Sequence, residues 1–195
     1  MPFTGSHRHD PANTPAFEAA EVIRAEIFSV QRLEQHAASL AAAQGVTDSP
    51  TSVPLLTTRL RDNHRALRNS HRTIAKAITQ GAAITPSAEW LIDNFHVVEA
   101  QIREIRDDLP PGYYRQLPKL AAGPLAGYPR VLGLAWAFVA HTDSRFGTQL
   151  LTSFVCAYQR VQPLTIGELW AIAITLRVVL VENLRRAADS IASAR

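Results

Sequence analysis

The 195-residue sequence predicts an all-α fold, an antiparallel helical bundle of about six helices. Three observations predict it. Apolar residues recur at steps of three and four, the period of a helix with one buried face. No stretch alternates Val, Ile or Thr with polar residues at the period of two that a half-buried strand needs. Most prolines and glycines fall between the periodic segments rather than within them.

Residues 1–13, "MPFTGSHRHDPAN", are polar and read as a disordered amino-terminal tail without the apolar core of a secretion signal. A single helical domain is expected over 14–195, with an amphipathic half at 14–109 and a more buried half at 128–190. The first helix is placed from Thr14-Pro15, since proline is preset for a first helical turn. Ile23, Ile27, Val30, Leu33, Ala37 and Leu40 follow at helical spacing. "QGVTDSPTSVP" ends it, and a second helix over roughly 55–80 is closed by Gly81. Thr85-Pro86 opens a third, whose Leu91, Phe95, Val98, Ile102, Ile105 and Leu109 form one narrow apolar seam.

Between 131 and 181 the charged residues are Asp143, Arg145, Arg160, Glu168 and Arg177. Helices at about 129–142, 147–161 and 166–190 are therefore apolar nearly all round and expected to be buried. Thr165 and Glu168 have capping-box spacing, in which each residue satisfies a free backbone donor of the other. The last helix carries Leu169, Trp170, Ile172, Ile174, Leu176, Val178, Val179, Leu180 and Val181 on nearly every side. An exposed patch and self-association of the isolated chain are expected from it.

The formal charge of +3 is too small to indicate nucleic acid as a partner. The longest uninterrupted apolar run, 131–140, is about half of a membrane span. Cys156, the single cysteine, excludes an internal disulfide and reads as a buried small hydrophobe.

Arg61, Arg65, Arg68, Arg72 and Lys76 form a basic stripe on the second helix. It reads first as a solvated face near the acids of the first helix, Glu18, Glu21, Glu26 and Glu34. The alternative is a contact for an anionic partner or membrane surface. His64 and His71 fall in the apolar stripe of the same helix and read as core or boundary histidines. Glu89, Asp93, His96 and Glu99 have offsets of three and four, but no other helix supplies a matching Glu-x-x-His pair, so no metal site is expected. Arg177 shares a helical face with Trp170, Ala173, Val181 and Leu184, and a carboxylate must meet it. Asp143 and the acids of the third helix are the candidate partners. Asp107 and Asp108 lie at the negative end of a helix dipole, with Arg103, Arg115 and Lys119 near enough to offset them. There is no phosphate-cradling glycine loop, nucleophile elbow or D-x-D pair, and no catalytic residue is assigned.

The stretch "AEWLIDNFHVVEAQIREIRDDLPPGYYRQLPKLAAGPLAGYPRV", with "GLAWAFVAHTDSRF", "AYQRVQPLTIGELWAIAITLR" and "VENLRR", closely resembles the amino-terminal region of cyclic β-1,2-glucan synthases. The resemblance covers about 85–186, and "IRAEIFSVQRLEQHAASLAAAQ" extends it more weakly to the first helix. Leu132 and the residues after Phe146 depart from the family pattern. The resemblance implies a piece of a much larger inner-membrane protein, a UDP-glucose-dependent glycosyltransferase with a phosphorylase-like module that makes periplasmic glucans. UDP-glucose and a divalent metal are implied for that parent enzyme; no cofactor is expected in this chain. The chain is then a non-catalytic domain with a structural or regulatory role at the cytoplasmic face of the inner membrane. Its partners are the remaining domains of the synthase, and Tyr113, Tyr114 and Arg115 are candidate contacts to them. An isolated chain would be soluble and cytoplasmic. The competing reading is a free-standing helical interaction module that uses the basic stripe.

Overall fold

The computed structural model describes residues 21–194, so the expected tail and the helix start at Thr14 lie outside the described residues. The first described helix, α1 (Val30–Ala43), begins later than the spacing predicts. Ser29 caps it by accepting from Arg32 N at 3.3 Å. Residues 21–29 are not helical, because other elements satisfy their backbone. Ala25 N donates to Ala140 O at 2.9 Å, Phe28 N to His141 O at 3.1 Å, and Ile23 N to Asn183 Oδ1 at 2.6 Å. Ile23 is buried by this strap and Ile27 is exposed, so the helical spacing there is coincidental.

A long helix, α2 (Leu56–Thr79), follows, and Gly81 at φ 79° ends it in the left-handed conformation. The predicted third helix divides into α3 (Pro86–Asp93) and α4 (Phe95–Asp107). Asn94 interrupts it, with its side-chain amide donating to Trp90 O at 2.9 Å. The apolar seam nevertheless runs across the break, and Leu91, Phe95, Val98, Ile102, Ile105 and Leu109 are all buried. After Pro110 a short helix, α5 (Pro111–Gln116), starts afresh. The last three helices, α6 (Arg130–Thr142), α7 (Thr148–Gln159) and α8 (Ile166–Ser193), lie close to their expected bounds. The described residues thus hold eight helices rather than about six, and helix accounts for 68% of them.

One departure from pure helix is a two-residue antiparallel pair, β1 (Val46–Thr47) with β2 (Lys119–Leu120). It pins the 117–129 loop beneath α6, together with Gly127 N donating to Leu120 O at 2.9 Å. Gly127 has φ 79°, and an added Cβ would lie 2.1 Å from Ser52 O. Gly123 is equally left-handed but faces open space. Gly127→Ala should therefore cost about 2 kcal/mol or more in urea denaturation, and clearly more than Gly123→Ala. Equal losses would mean that the Ser52 contact is unimportant.

α8 is the hub. It packs on α2 and α6 and also touches α3 and α4, while α1 packs on α7 and α6. Of the acids expected beside the basic stripe of α2, Glu18 lies outside the described residues, Glu21 and Glu26 precede α1, and Glu26 and Glu34 pair instead with Arg32 at 2.5 Å and Arg160 at 3.9 Å. Enclosure by several neighbours also overturns most of the expected exposed patch. Ile172, Ile174, Leu176, Val178, Val179 and Val181 are buried, Leu180 is half-buried, and Leu169 and Trp170 face solvent. Val178 and Val181 both point inward, so neither offers a surface position for a charge. On α7 the buried face is Phe154, Val155, Ala157 and Tyr158, which leaves Cys156 exposed rather than buried.

Two ionic clusters lie inside this packing. In the first, Glu182 of α8 accepts from Arg59 of α2 at 2.5 and 2.7 Å, and from Arg186 at 3.0 Å. Arg186, 1% exposed, also donates to Glu21 O at 3.0 Å and lies over the Trp136 ring. In the second, Arg130 at the start of α6 donates to both oxygens of Glu168, at 2.7 and 2.6 Å, and to Pro163 O at 3.1 Å. Glu168 is wholly buried and closes the predicted capping box with Thr165.

Candidate functional site

The acids and histidine with metal-like spacing are not brought together. His96 faces solvent with Nδ1 3.1 Å from Asp93 O, while Glu99 lies 3.5 Å from His64 Nε2 and 3.9 Å from Arg68. Among the described residues no three His, Cys, Asp or Glu side chains are placed to hold a metal ion. His141 stacks on Phe28 with ring centroids 3.9 Å apart, and Asp143 pairs with Arg24 at 3.3 Å. Asp143 is thereby removed as a partner for Arg177.

Arg177 is met by the acids of the third predicted helix. Its guanidinium donates to Glu104 at 2.8 Å, to Asp108 at 3.2 Å and to Gln101 at 3.1 Å. It is half-buried rather than internal, because Trp170 on the same face is 80% exposed. Asp108 is offset by Arg177, a partner the local sequence does not suggest. Lys119, one of the expected partners, is itself buried and caps the end of α5. Its Nζ donates to the carbonyls of Tyr114, Arg115 and Leu117. Burial pushes its pKa down, and the three carbonyls hold the ammonium in place.

The candidate contacts Tyr113, Tyr114 and Arg115 have separate fates. Tyr114 is buried in the core, and burial raises its phenol pKa strongly. Tyr113 is half-buried and its hydroxyl donates to Gly167 O, which ties α5 to the first turn of α8. Arg115 is exposed. Tyr113, Trp170, Ala173, Arg177 and Asp108 line an open groove of about 460 Å³, with exposed Ile166 and Leu169 alongside in α8. This face combines an apolar edge with a fixed ionic cluster, a surface suited to a protein contact.

The basic stripe keeps its predicted exposure: Arg61, Arg65, Arg68, Arg72 and Lys76 all face solvent. Its acids come from α2 itself and from α4. Asp62 lies 3.5 Å from Arg61 and 3.8 Å from Arg65, and Glu99 reaches Arg68. His71 stacks on Phe95 at 4.0 Å, and burial lowers its pKa. No helix among the described residues is long and apolar enough to cross a membrane.

No family model matches the chain. Over 174 residues, 89% of its length, it is 42% identical to the cyclic β-(1,2)-glucan synthase NdvB of Rhizobium meliloti (strain 1021). The chain is similar to part of a cyclic β-1,2-glucan synthase. The match is longer than the 85–186 stretch that carries the resemblance in sequence, and it falls in the amino-terminal region of NdvB. The chain spans 6% of the NdvB length.

Proposed function

We propose that this chain is a non-catalytic helical domain of a cyclic β-1,2-glucan synthase, structural or regulatory in role. The carrying observation is the disproportion of the match: nearly the whole chain aligns, yet it spans 6% of NdvB. The disposition of its acids supports the reading. Glu104 and Asp108 hold Arg177, Glu99 lies beside Arg68, and Glu168 and Glu182 are buried on arginines. None of these stands ready to hold a nucleotide sugar through a metal. UDP-glucose and a divalent metal belong to the parent enzyme, at the cytoplasmic face of the inner membrane. The Trp170 face, with Tyr113 beside it, is the seat for the remaining domains.

Purified chain given UDP-glucose and a divalent metal is expected to release no UDP above a buffer control. Turnover that survives repurification would refute the reading. The positive arm supplies the chain in trans to a glucan synthase lacking its own homologous segment. Binding that Trp170→Ala weakens about ten-fold or more is expected, as for an exposed tryptophan at the centre of a contact. Failure to bind removes the domain assignment.

A further inference from the structure

A second feature stands independently of the glucan-synthase reading. The first turns of α2 and the end of α4 border a cleft of about 380 Å³. Thr57, Thr58, Arg61, His64 and Arg106 line it. Its floor is buried Leu60 and Ile102. Two helices thus bring two guanidiniums, an imidazole and two hydroxyls to one concave place. The groups are poorly matched within the protein. Arg106 is exposed and has no ion pair among the described residues. Arg61 has Asp62, its own neighbour, at 3.5 Å, with both side chains more than half exposed. Such a surface pair is worth little and yields readily to a better anion. His64 Nε2 is shielded from solvent and turned to Glu99 at 3.5 Å, so the imidazole forms part of the cleft wall and the free donors are the guanidiniums and hydroxyls. The first turn of α2 contains no acid; the carboxylates nearest the cleft are Asp62, beside Arg61, and Glu99, beside His64.

We propose that this cleft binds a phosphate group. A tetrahedral phosphate presents acceptor oxygens in several directions, which suits donors converging from two helices and two hydroxyls. A carboxylate offers a single plane. Guanidinium pairs favour phosphate through bidentate bonding, and the apolar floor limits competition from water. The phosphate can arrive on a soluble molecule or as a lipid headgroup, and the chemistry of the cleft is common to both.

The intact chain is titrated with pyrophosphate by calorimetry. In parallel it is floated with phosphatidylcholine vesicles with and without phosphatidic acid. Saturable binding is expected in at least one arm: pyrophosphate alone identifies a soluble ligand, phosphatidic acid alone a headgroup. Arg61→Gln and Arg106→Gln should each weaken binding about ten-fold or more, since each removes a charge-assisted pair. Both positions are exposed, so circular dichroism should be unchanged, and either variant alone is sufficient should the other misfold. Arg72→Gln, about 16 Å further along the same helix, should leave binding within about two-fold. No binding in either arm overturns the proposal. So does equal weakening by Arg72→Gln, which would mark a diffuse basic surface rather than a site.

Discussion

Replacing Glu182 with alanine is expected to remove about 3–5 kcal/mol of folding stability, a large share of the 5–15 kcal/mol typical of a domain. The carboxylate is shared between Arg59 and Arg186, and truncation leaves two positive charges facing each other between α2 and α8. Burial by itself raises the Glu182 pKa. The hydrogen bonds and charges of Arg59 and Arg186 outweigh it and hold the group below its ordinary value of 4.5. A carboxyl depressed in the folded state stabilises fully above its unfolded pKa and loses that contribution as pH falls through the folded one. Acid destabilisation should therefore set in below about pH 4.5 in the native chain, and Glu182→Gln should blunt that limb of the curve. Urea midpoints at neutral pH and across the acid limb measure both effects. A loss under about 1 kcal/mol for Glu182→Ala would mean the arginines find other acceptors.

Glu168→Ala should be comparably severe, lowering the melting temperature by roughly 10 °C for a chain of this size. It strands Arg130, 3% exposed, and removes the side chain that accepts from Thr165 N at 2.9 Å. One residue thus both begins α8 and fastens it to α6. Arg130→Met should also destabilise, since a buried carboxylate is then left without its cation. Glu168→Gln with Arg130→Met together should lose less than the sum of the two single changes, because the second change relieves the charge stranded by the first. Additive losses would show that the capping role, not the ion pair, dominates.

The helices of the second half were legible because they are apolar and bounded by proline, glycine and a capping box. Their packing partners were not. Periodicity identifies a buried face without saying which helix covers it, so α8 reads as keeping an exposed patch although α2 closes over it opposite α6. The buried arginines were obscured similarly. Arg177 stands out as an isolated charge in an apolar run, yet it is only half-buried. The deeply buried Arg130 and Arg186 do not stand out in the same way: Arg130 follows Pro129 at the edge of an apolar run, and Arg186 adjoins another arginine, Arg185. A usable signal existed in α2, where Asn63 and Ser70 occupy stripe positions with Leu56, Leu60, Leu67 and Ile74 and are buried with them. Polar groups on an apolar stripe imply polar partners opposite: Asn63 meets Glu182, and Ser70 donates to Asp189 at 2.6 Å. The cleft beneath Arg61 and Arg106 depends on two helices meeting, which a linear stripe of α2 residues cannot reveal.

The hub position of α8 has a consequence for synthesis. The Arg59–Glu182 contact spans 123 residues, so the apolar stripe of α2 leaves the ribosome long before the helix that covers it. At ordinary translation rates that interval is roughly 6–25 s. During it, Leu60, Leu67 and Ile74 have only the weak local cover of α3 and α4. The nascent chain is therefore expected to depend on a holding chaperone through the middle of its synthesis. Ribosome-bound intermediates stalled before Ile166 should be protease-sensitive, and those extended well past Ser193, with α8 clear of the exit tunnel, should become resistant in one step.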